Sequence, residues 1–298
     1  MSWLSFVISL VVFTVLAPVL GCLIAGVDRK ISARLQARVG PPLLQPYYDV
    51  RKLMAKDDVS VNRFQSFYVA MALLLAILSG VFFFAGGNLL MVVFIISLSS
   101  LFFIVAAYSS RSPYAEIGAE REIIQVMSYE PMVILLAVCF YLASGYLVGT
   151  GYASFDIATL FSFQKPLVAA MPLAFASLVF ILTIKLRKSP FDLSYSHHAH
   201  QELVKGITTE MSGKTLAMVE VMHWYETVLF MSWVGMFFVW ANWLSILLVI
   251  LVVAIVYFLE IFIDNNFARM KWQAMVKLSW VVTILGVAIN IVVFKLLV

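Results

Sequence analysis

All four histidines of the chain, His197, His198, His200 and His223, fall within 27 positions and are interleaved with Glu202, Glu210, Glu220 and Glu226. Imidazoles and carboxylates crowded in this way can relay protons or hold a metal ion. His198 and Glu202 stand four apart, one turn of a helix, but His197, His198 and His200 match neither HExxH nor a paired i,i+4 histidine spacing. A proton relay, a subunit contact and a metal site therefore remain as readings of this segment. Further carboxylates recur elsewhere: Glu116 and Glu120 four apart, Glu130 beside Pro131 inside an apolar run, Asp192 in a Ser189-Pro190-Phe191-Asp192-Leu193 stretch, and Glu260 one turn before Asp264. An ionisable group inside an apolar span is costly and marks an ion or proton path by default. Pro131 frees carbonyls beside Glu130 where water or a proton could bind.

The elements that must position these groups are set by composition. Of 298 residues, 63% are hydrophobic and only 12% charged, with a mean hydropathy of +1.00. A water-soluble fold needs about a quarter of its residues charged, so a soluble enzyme is excluded. Eight apolar runs, at about 2–25, 67–86, 90–108, 123–148, 168–186, 223–240, 243–263 and 276–297, approach the length of a membrane-crossing helix. The expected fold is an all-α, polytopic, single integral membrane domain over 1–298. The first run has no basic residue before Arg29, so it is expected to be a retained span and not a signal peptide.

Eighteen of the twenty Lys and Arg residues lie in alternate connections, 26–66, 109–122, 185–222 and 264–277, leaving Lys165 and Lys295 for the other side. By the positive-inside rule these four connections face the cytoplasm and both termini lie outside the cytoplasmic membrane. The net charge of +4 is thus a topology signal and does not point to nucleic acid. Two of the inner loops run to about 40 residues, and long loops in compact proteins are usually functional.

In the first inner loop Lys30, Arg34 and Arg38 recur every four residues and would share a helical face, with Gly40-Pro41-Pro42 ending that helix. The following 46–56 stretch puts Tyr47, Val50, Leu53 and Met54 on one side and charges on the other, as in a cytoplasmic amphipathic helix lying in the membrane interface. Lipid headgroups and a protein partner both suit such a surface. Glu122 and Arg121 read as a solvated helix end. Asp264 could pair with Arg269. Cys22 and Cys139 sit in apolar runs without CxxC spacing, so the chain by itself offers no thiol set for zinc or an iron–sulfur cluster.

Three of these segments carry a resemblance. The run Gln36-Ala37-Arg38-Val39-Gly40-Pro41, the stretch from Tyr114 to Pro131 with Ile117-Gly118-Ala119 and Ser128-Tyr129-Glu130, and the Ser189–Leu193 run followed by Glu202-Leu203-Val204-Lys205-Gly206 together resemble the heel subunit that joins the peripheral and membrane arms of respiratory complex I and its relatives. Within that superfamily the chain is most similar to the membrane anchor of energy-converting (group 4, Ech-like) [NiFe] hydrogenases. The His-rich segment stands where complex I heel subunits have a shorter, acidic one, and Lys185 stands where they tend to have a carboxylate.

The resemblance implies a subunit without a redox centre of its own. A [NiFe] centre and [4Fe-4S] clusters would reside in partners, namely hydrogenase large and small subunits and a ferredoxin-type iron–sulfur subunit, alongside an antiporter-like membrane subunit and the lipid bilayer. Ferredoxin-driven hydrogen evolution would be coupled to proton or sodium translocation. It also implies a peripheral-arm interface at Arg29, Arg34, Gln36 and Arg38, and a coupling path through Glu116, Glu120, Glu130, Asp192, His197, His198, His200, Glu202, Glu210, Glu226 and Glu260. A quinone-chamber heel subunit of an NADH dehydrogenase is the alternative. A secondary transporter would show internal repeats, and none is visible.

Overall fold

The computed structural model describes residues 3–59, 62–148, 153–188, 190–195 and 203–297. They form helices α1 (Trp3–Leu35), α2 (Gln45–Met54), α3 (Arg63–Phe84), α4 (Leu89–Tyr108), α5 (Pro113–Val148), α6 (Leu167–Ala170), α7 (Pro172–Lys185), α8 (Gly213–Met236), α9 (Leu244–Asn266), α10 (Trp272–Val282) and α11 (Ile289–Leu297). Two short 3-10 turns and a π-helical turn, Thr283–Ala288, complete the described elements. The chain is an all-α, multi-pass membrane protein.

Among the described residues, six helical stretches are each long and apolar enough to cross a membrane: α1, α3, α4, α5, α9 and the continuous 272–296 stretch. The other two expected runs differ for visible reasons. The 168–186 run is broken at Met171, where φ −136 and ψ 64 end α6 before Pro172 starts the 14-residue α7. The buried Asn290 side chain accepts the Leu173 N–H at 3.1 Å, giving a partner to one donor that the break exposes. The 223–240 run belongs to the longer α8, which begins earlier and carries Lys214, Glu220 and Glu226.

Local chemistry sets several boundaries. Asn62 caps α3 by accepting from Phe64 N–H, and Asn88 caps α4 by accepting from Leu90 and Met91 N–H. Pro113 opens α5, where a missing N–H costs nothing. At a rise of 1.5 Å per residue the 36-residue α5 is about 54 Å long, well beyond a hydrocarbon core of about 30 Å. Its first turns therefore project beyond the apolar layer. The 33-residue α1 overshoots at its C-terminal end in the same way.

The expected end of that helix is corrected. Gly40-Pro41-Pro42 does not terminate it, because α1 stops at Leu35. Ala37 turns left-handed at φ 55, with Arg38 N–H bonding Ala33 C=O at 2.8 Å and Ala37 N–H bonding Arg34 C=O at 3.0 Å. This crossed pair of bonds closes the last turn, so Arg38 leaves the face that Lys30 and Arg34 were expected to share with it.

The connections gather at two ends of the bundle. At one end Leu89 N–H bonds Phe155 C=O, Ile157 N–H bonds Gly87 C=O, and Ala241 N–H bonds Phe163 C=O. At the other end the cation-rich connections interlock. Asp58 accepts from Thr215 at 3.1 Å, the Tyr114 hydroxyl donates to Val204 C=O at 3.0 Å, and Asn265 donates to Ser32 at 3.1 Å. Between the two ends, α3, α4, α5, α7 and α8 share one continuous apolar core that includes Phe103, Met132, Phe140, Leu178, Leu182 and Phe230.

Candidate functional site

The cation-rich end encloses an open cavity of about 850 Å³ between α1, α2, α8, α9 and the segment after α7. Its walls carry Arg29, Arg38, Lys52, Lys56, Lys185, Arg187, Lys188 and Lys205, against Asp28, Asp49, Glu220, Glu226 and Asp264. The excess of cations makes the mouth electropositive. The amphipathic α2 forms one wall: Val50 and Leu53 line the cavity, whereas Tyr47, Tyr48 and Met54 are exposed. Its expected apolar stripe is therefore divided between the cavity and the outside.

The chain turns sharply where α7 ends, and this turn delivers three cations. Arg187 is left-handed at φ 55, Lys188 N–H bonds Thr183 C=O at 2.9 Å, and Arg187 N–H bonds Ile184 C=O at 3.1 Å. A left-handed residue other than glycine is held only where its surroundings fix it. Here Arg187 bonds Glu122 at 3.3 Å, and its guanidinium lies 5.4 Å from the Phe103 ring and 5.6 Å from that of Tyr195. Glu122 also accepts from Ser194. Lys188 is paired with Asp28 and lies 3.7 Å from Asp264. Lys185 places its ammonium 4.0 Å from the centre of the Tyr129 ring.

The loop after α7 is pressed against α5, and two glycines make this possible. A Cβ on Gly118 would sit 2.3 Å from Ile207 N, and one on Gly206, itself at φ 29, would sit 1.9 Å from Ser194 O. Ile207 N–H bonds Ser194 C=O at 3.1 Å, which fixes the loop over Glu122. Phe191 pairs with Met270 in a parallel bridge, so the Pro-Phe-Asp-Leu stretch ties this loop to the connection after α9.

A second, small and partly open cavity of about 10 Å³ adjoins the first, bordered by Ser100, Phe103, Glu122, Gln125, Tyr129, Ile184, Lys185, Arg187, Met222 and Glu226. Lys185, Arg187 and Glu226 border both spaces. Glu226 is buried and its carboxylate is 3.1 Å from His223 Nδ1, while Tyr195 donates to Glu220 at 3.2 Å. Burial, reinforced by the neighbouring Glu220 charge, holds the Tyr195 phenol well above its ordinary range, so it remains a donor at neutral pH.

The expected site residues are only partly brought together. Glu226 joins the buried cluster. Glu260 is fully buried, with both carboxyl oxygens lacking a hydrogen-bond partner among the described residues, and Lys188 and Asp264 are its nearest charges. Glu130 is half-buried one position beyond Tyr129 and borders neither space. Asp192 and Glu210 are half-buried, and Glu116 and Glu120 are exposed near Tyr108. Arg269 faces both Asp264 and Asp192. His197, His198, His200 and Glu202 lie outside the described residues.

In the basic segment, Arg29 is engaged within the chain, 2.5 Å from Asp49, while Arg34 is exposed. Gln36 donates to Asn265 at 2.8 Å and accepts from Arg38. Among the described residues no three His, Cys, Asp or Glu side chains form a group able to hold a metal.

Reading the sequence missed Glu122, Lys185, Arg187, Lys188 and Asp28. Glu122 had a usable signal, because Gly118, Glu122, Gln125 and Tyr129 follow i, i+4, i+7, i+11 and so share one helix face. Arg187 and Lys188, beyond the end of α7, had none, since their placement depends on the left-handed turn at Arg187.

A family model described as NADH dehydrogenase matches residues 7–295. The chain is 30% identical over 277 residues to NADH-ubiquinone oxidoreductase chain 1 of Branchiostoma lanceolatum, covering 85% of this chain and 83% of that one. It is 28% identical over 287 residues to formate hydrogenlyase subunit 4 of Escherichia coli (strain K12), covering 87% and 89%. It is also 29% identical over 281 residues to hydrogenase-4 component C of the same organism, covering 87% and 86%. Among solved structures it is similar to a chain of the membrane-bound sulfane sulfur reductase, an archaeal respiratory membrane complex. That match has a TM-score of 0.80 at 21% identity and covers 96% and 99% of the two chains.

Proposed function

Because the chain belongs to the NADH dehydrogenase family, we propose that it is the membrane heel subunit of an energy-converting [NiFe] hydrogenase. In this role it docks the peripheral hydrogenase and iron–sulfur arm and couples ferredoxin-driven hydrogen evolution to proton or sodium translocation. The arm docks at the end that bears the open cavity, which faces the cytoplasm, and both termini lie outside the cytoplasmic membrane. Redox chemistry belongs to the partner subunits, and an antiporter-like subunit lies alongside in the bilayer.

The observation that carries this reading is the cluster of buried and half-buried charges where the two cavities meet: Glu226 beside His223, Glu122 bound to Arg187, and Lys185 bordering both spaces. Charges at that depth need partners and are expensive to keep, and a subunit that passes on a charge event has a use for them. Similarity to formate hydrogenlyase subunit 4 and hydrogenase-4 component C supports the hydrogenase branch. Glu130, Glu116, Glu120, Asp192, Glu210, Glu260 and the His197–Glu202 segment remain further coupling candidates, with Arg34 and Arg38 on the docking surface.

The quinone-chamber reading draws on the similarity to NADH-ubiquinone oxidoreductase chain 1 and on a cavity of about 850 Å³. Eight cations and five carboxylates border the cavity, a charged rim that suits the docking of a protein arm in either reading. Isolation of the native complex through a tag on this chain decides between them. A co-purifying large subunit with two CxxC pairs is expected, and an NADH-oxidising flavoprotein in its place refutes the hydrogenase assignment.

A further inference from the structure

We propose that the open cavity holds the phosphate head of an anionic membrane phospholipid, bound by Lys52, Lys56 and Lys205, with its acyl chains running into the bilayer. This inference goes beyond the assignment of the subunit and holds for either arm that docks above the cavity.

Eight cations border the cavity against five carboxylates. Most of the cations are already engaged within the chain. Arg29 lies 2.5 Å from Asp49, Arg187 bonds Glu122, Lys188 is paired with Asp28, and Lys185 rests on the Tyr129 ring. Lys52, Lys56 and Lys205 make no ion pair among the described residues. Lys205 is also left-handed at φ 64, and its carbonyl accepts from the amide and the hydroxyl of Thr208 at 2.8 and 2.9 Å. Left-handed backbone outside glycine is costly and persists only where its surroundings fix it. At both Arg187 and Lys205 such a turn brings a cation to the same cavity. Unpaired positive charge gathered in a partly enclosed space attracts an anion.

The rest of the wall is apolar. Val39, Val50, Leu53, Leu216 and Trp224 line it, and a volume of about 850 Å³ suits a large organic ligand better than a bare oxyanion. The helices around the cavity also carry exposed apolar side chains. Ala25 of α1 and Tyr257 of α9 line the cavity, while Leu23 and Val27 on α1 and Phe258 and Phe262 on α9 are exposed. The short helix α2 has the same two characters. Val50 and Leu53 face the cavity, whereas Tyr47, Arg51 and Met54, at i, i+4 and i+7, form an exposed face of ring, cation and thioether. Such a face suits the level of lipid headgroups. A ligand with an anionic head and apolar chains satisfies both parts of the wall.

Charge selects among heads. The wall carries an excess of three positive charges with His223 neutral. A zwitterionic head offers a phosphate with a cation attached, which adds to that excess. Phosphatidylglycerol offers the phosphate alone.

The test counts bound lipid by native mass spectrometry on the purified chain and on the intact complex, each in an uncharged detergent. The probes are phosphatidylglycerol and phosphatidylcholine with the same acyl chains. One phosphatidylglycerol per chain is expected to bind at least tenfold more tightly than phosphatidylcholine, and to weaken as salt is raised. Lys52 and Lys56 are exposed, so replacing both leaves the packing untouched. At about fivefold per lysine, Lys52→Gln with Lys56→Gln should weaken phosphatidylglycerol about 25-fold and leave phosphatidylcholine unchanged, while Lys205→Gln should weaken it about fivefold. Lys52→Arg with Lys56→Arg keeps the charge and should keep the lipid. Equal binding of the two lipids, or unchanged selectivity in the Gln variants, overturns the proposal and leaves ordinary boundary lipid. Displacement of phosphatidylglycerol by millimolar inorganic phosphate shows a free-anion site and overturns the lipid assignment. Phosphatidylglycerol bound to the isolated chain but absent from the intact complex shows that an acidic segment of the arm fills the cavity, and overturns it likewise.

Discussion

Replacing Lys188 by Met removes the cation that joins three segments at the cavity end of the bundle. Lys188 is bound to Asp28 on α1 and lies 3.7 Å from Asp264 on α9, with side-chain exposures of 8%, 24% and 17% for Lys188, Asp28 and Asp264. At 3.7 Å and an effective dielectric of about 20, one such pair attracts by about 4.5 kcal/mol before any desolvation cost. Removing one member of a buried pair generally costs about 3–5 kcal/mol, because the remaining charge is left uncompensated. The partial exposure of Asp28 lets water screen it, so a loss of about 3 kcal/mol is expected here. Asp28→Asn leaves Lys188 with Asp264 and is expected to cost less, about 1–2 kcal/mol.

The assay is a double-mutant cycle on the purified chain in detergent, read by denaturant unfolding. Lys188→Met with Asp28→Asn should be less destabilising than the two single losses added together, by at least about 1 kcal/mol. A Lys188→Met loss below about 0.5 kcal/mol, which is within the range of an exposed pair, would refute the view that this lysine clamps α1 to α9. Strict additivity would refute the direct pairing with Asp28.

Four further outcomes follow from the same geometry. Gly118→Ala puts a Cβ 2.3 Å from the Ile207 nitrogen, so the loop must lift from α5. A stability loss of about 1–3 kcal/mol is expected, with faster hydrogen exchange at Ile207, and an unchanged exchange rate refutes the contact. For Asp49, burial raises the carboxyl, but the Arg29 guanidinium and the Gln45 amide outweigh it and hold the group below the usual carboxylate range. Its stabilisation of α2 is therefore present above the unfolded pKa and is lost as pH falls through the lower folded value. Exchange protection of residues 45–54 should hold from neutral pH to about 5 and decline only below the ordinary aspartate value near 3.9; loss above pH 5 contradicts the pairing. Glu130→Gln should leave hydrogen evolution measurable and abolish ion uptake, and normal pumping would move the coupling carboxylate to Glu226 or Glu260. Charge reversal of Arg34 and Arg38 together should release the hydrogenase module from membranes, whereas a fully retained module would assign this surface to lipid.

The sequence alone determined the class of the fold. Eight apolar runs and charges confined to alternate connections admit only a helical bundle in a membrane, because an unpaired backbone is intolerable in hydrocarbon. It also determined which connections would meet, since a Lys or Arg in a loop has one aqueous side to occupy. The spacing of Gly118, Glu122, Gln125 and Tyr129 was legible as a helix face as well. What stood on that face depended on tertiary structure. Glu122 reads as a solvated helix end until Gly118 and Gly206 allow the loop after α7 to lie against α5 and bring Arg187 and Ser194 onto it. The partnership of Asp28 with Lys188 spans 160 positions, and no local periodicity records a contact of that separation. Pattern in a sequence fixes which face of an element is polar. Which charge pairs with which is settled by the close approach of backbones and by the left-handed turn at Arg187, because a buried ion is tolerable only beside a partner that the fold has already put in place.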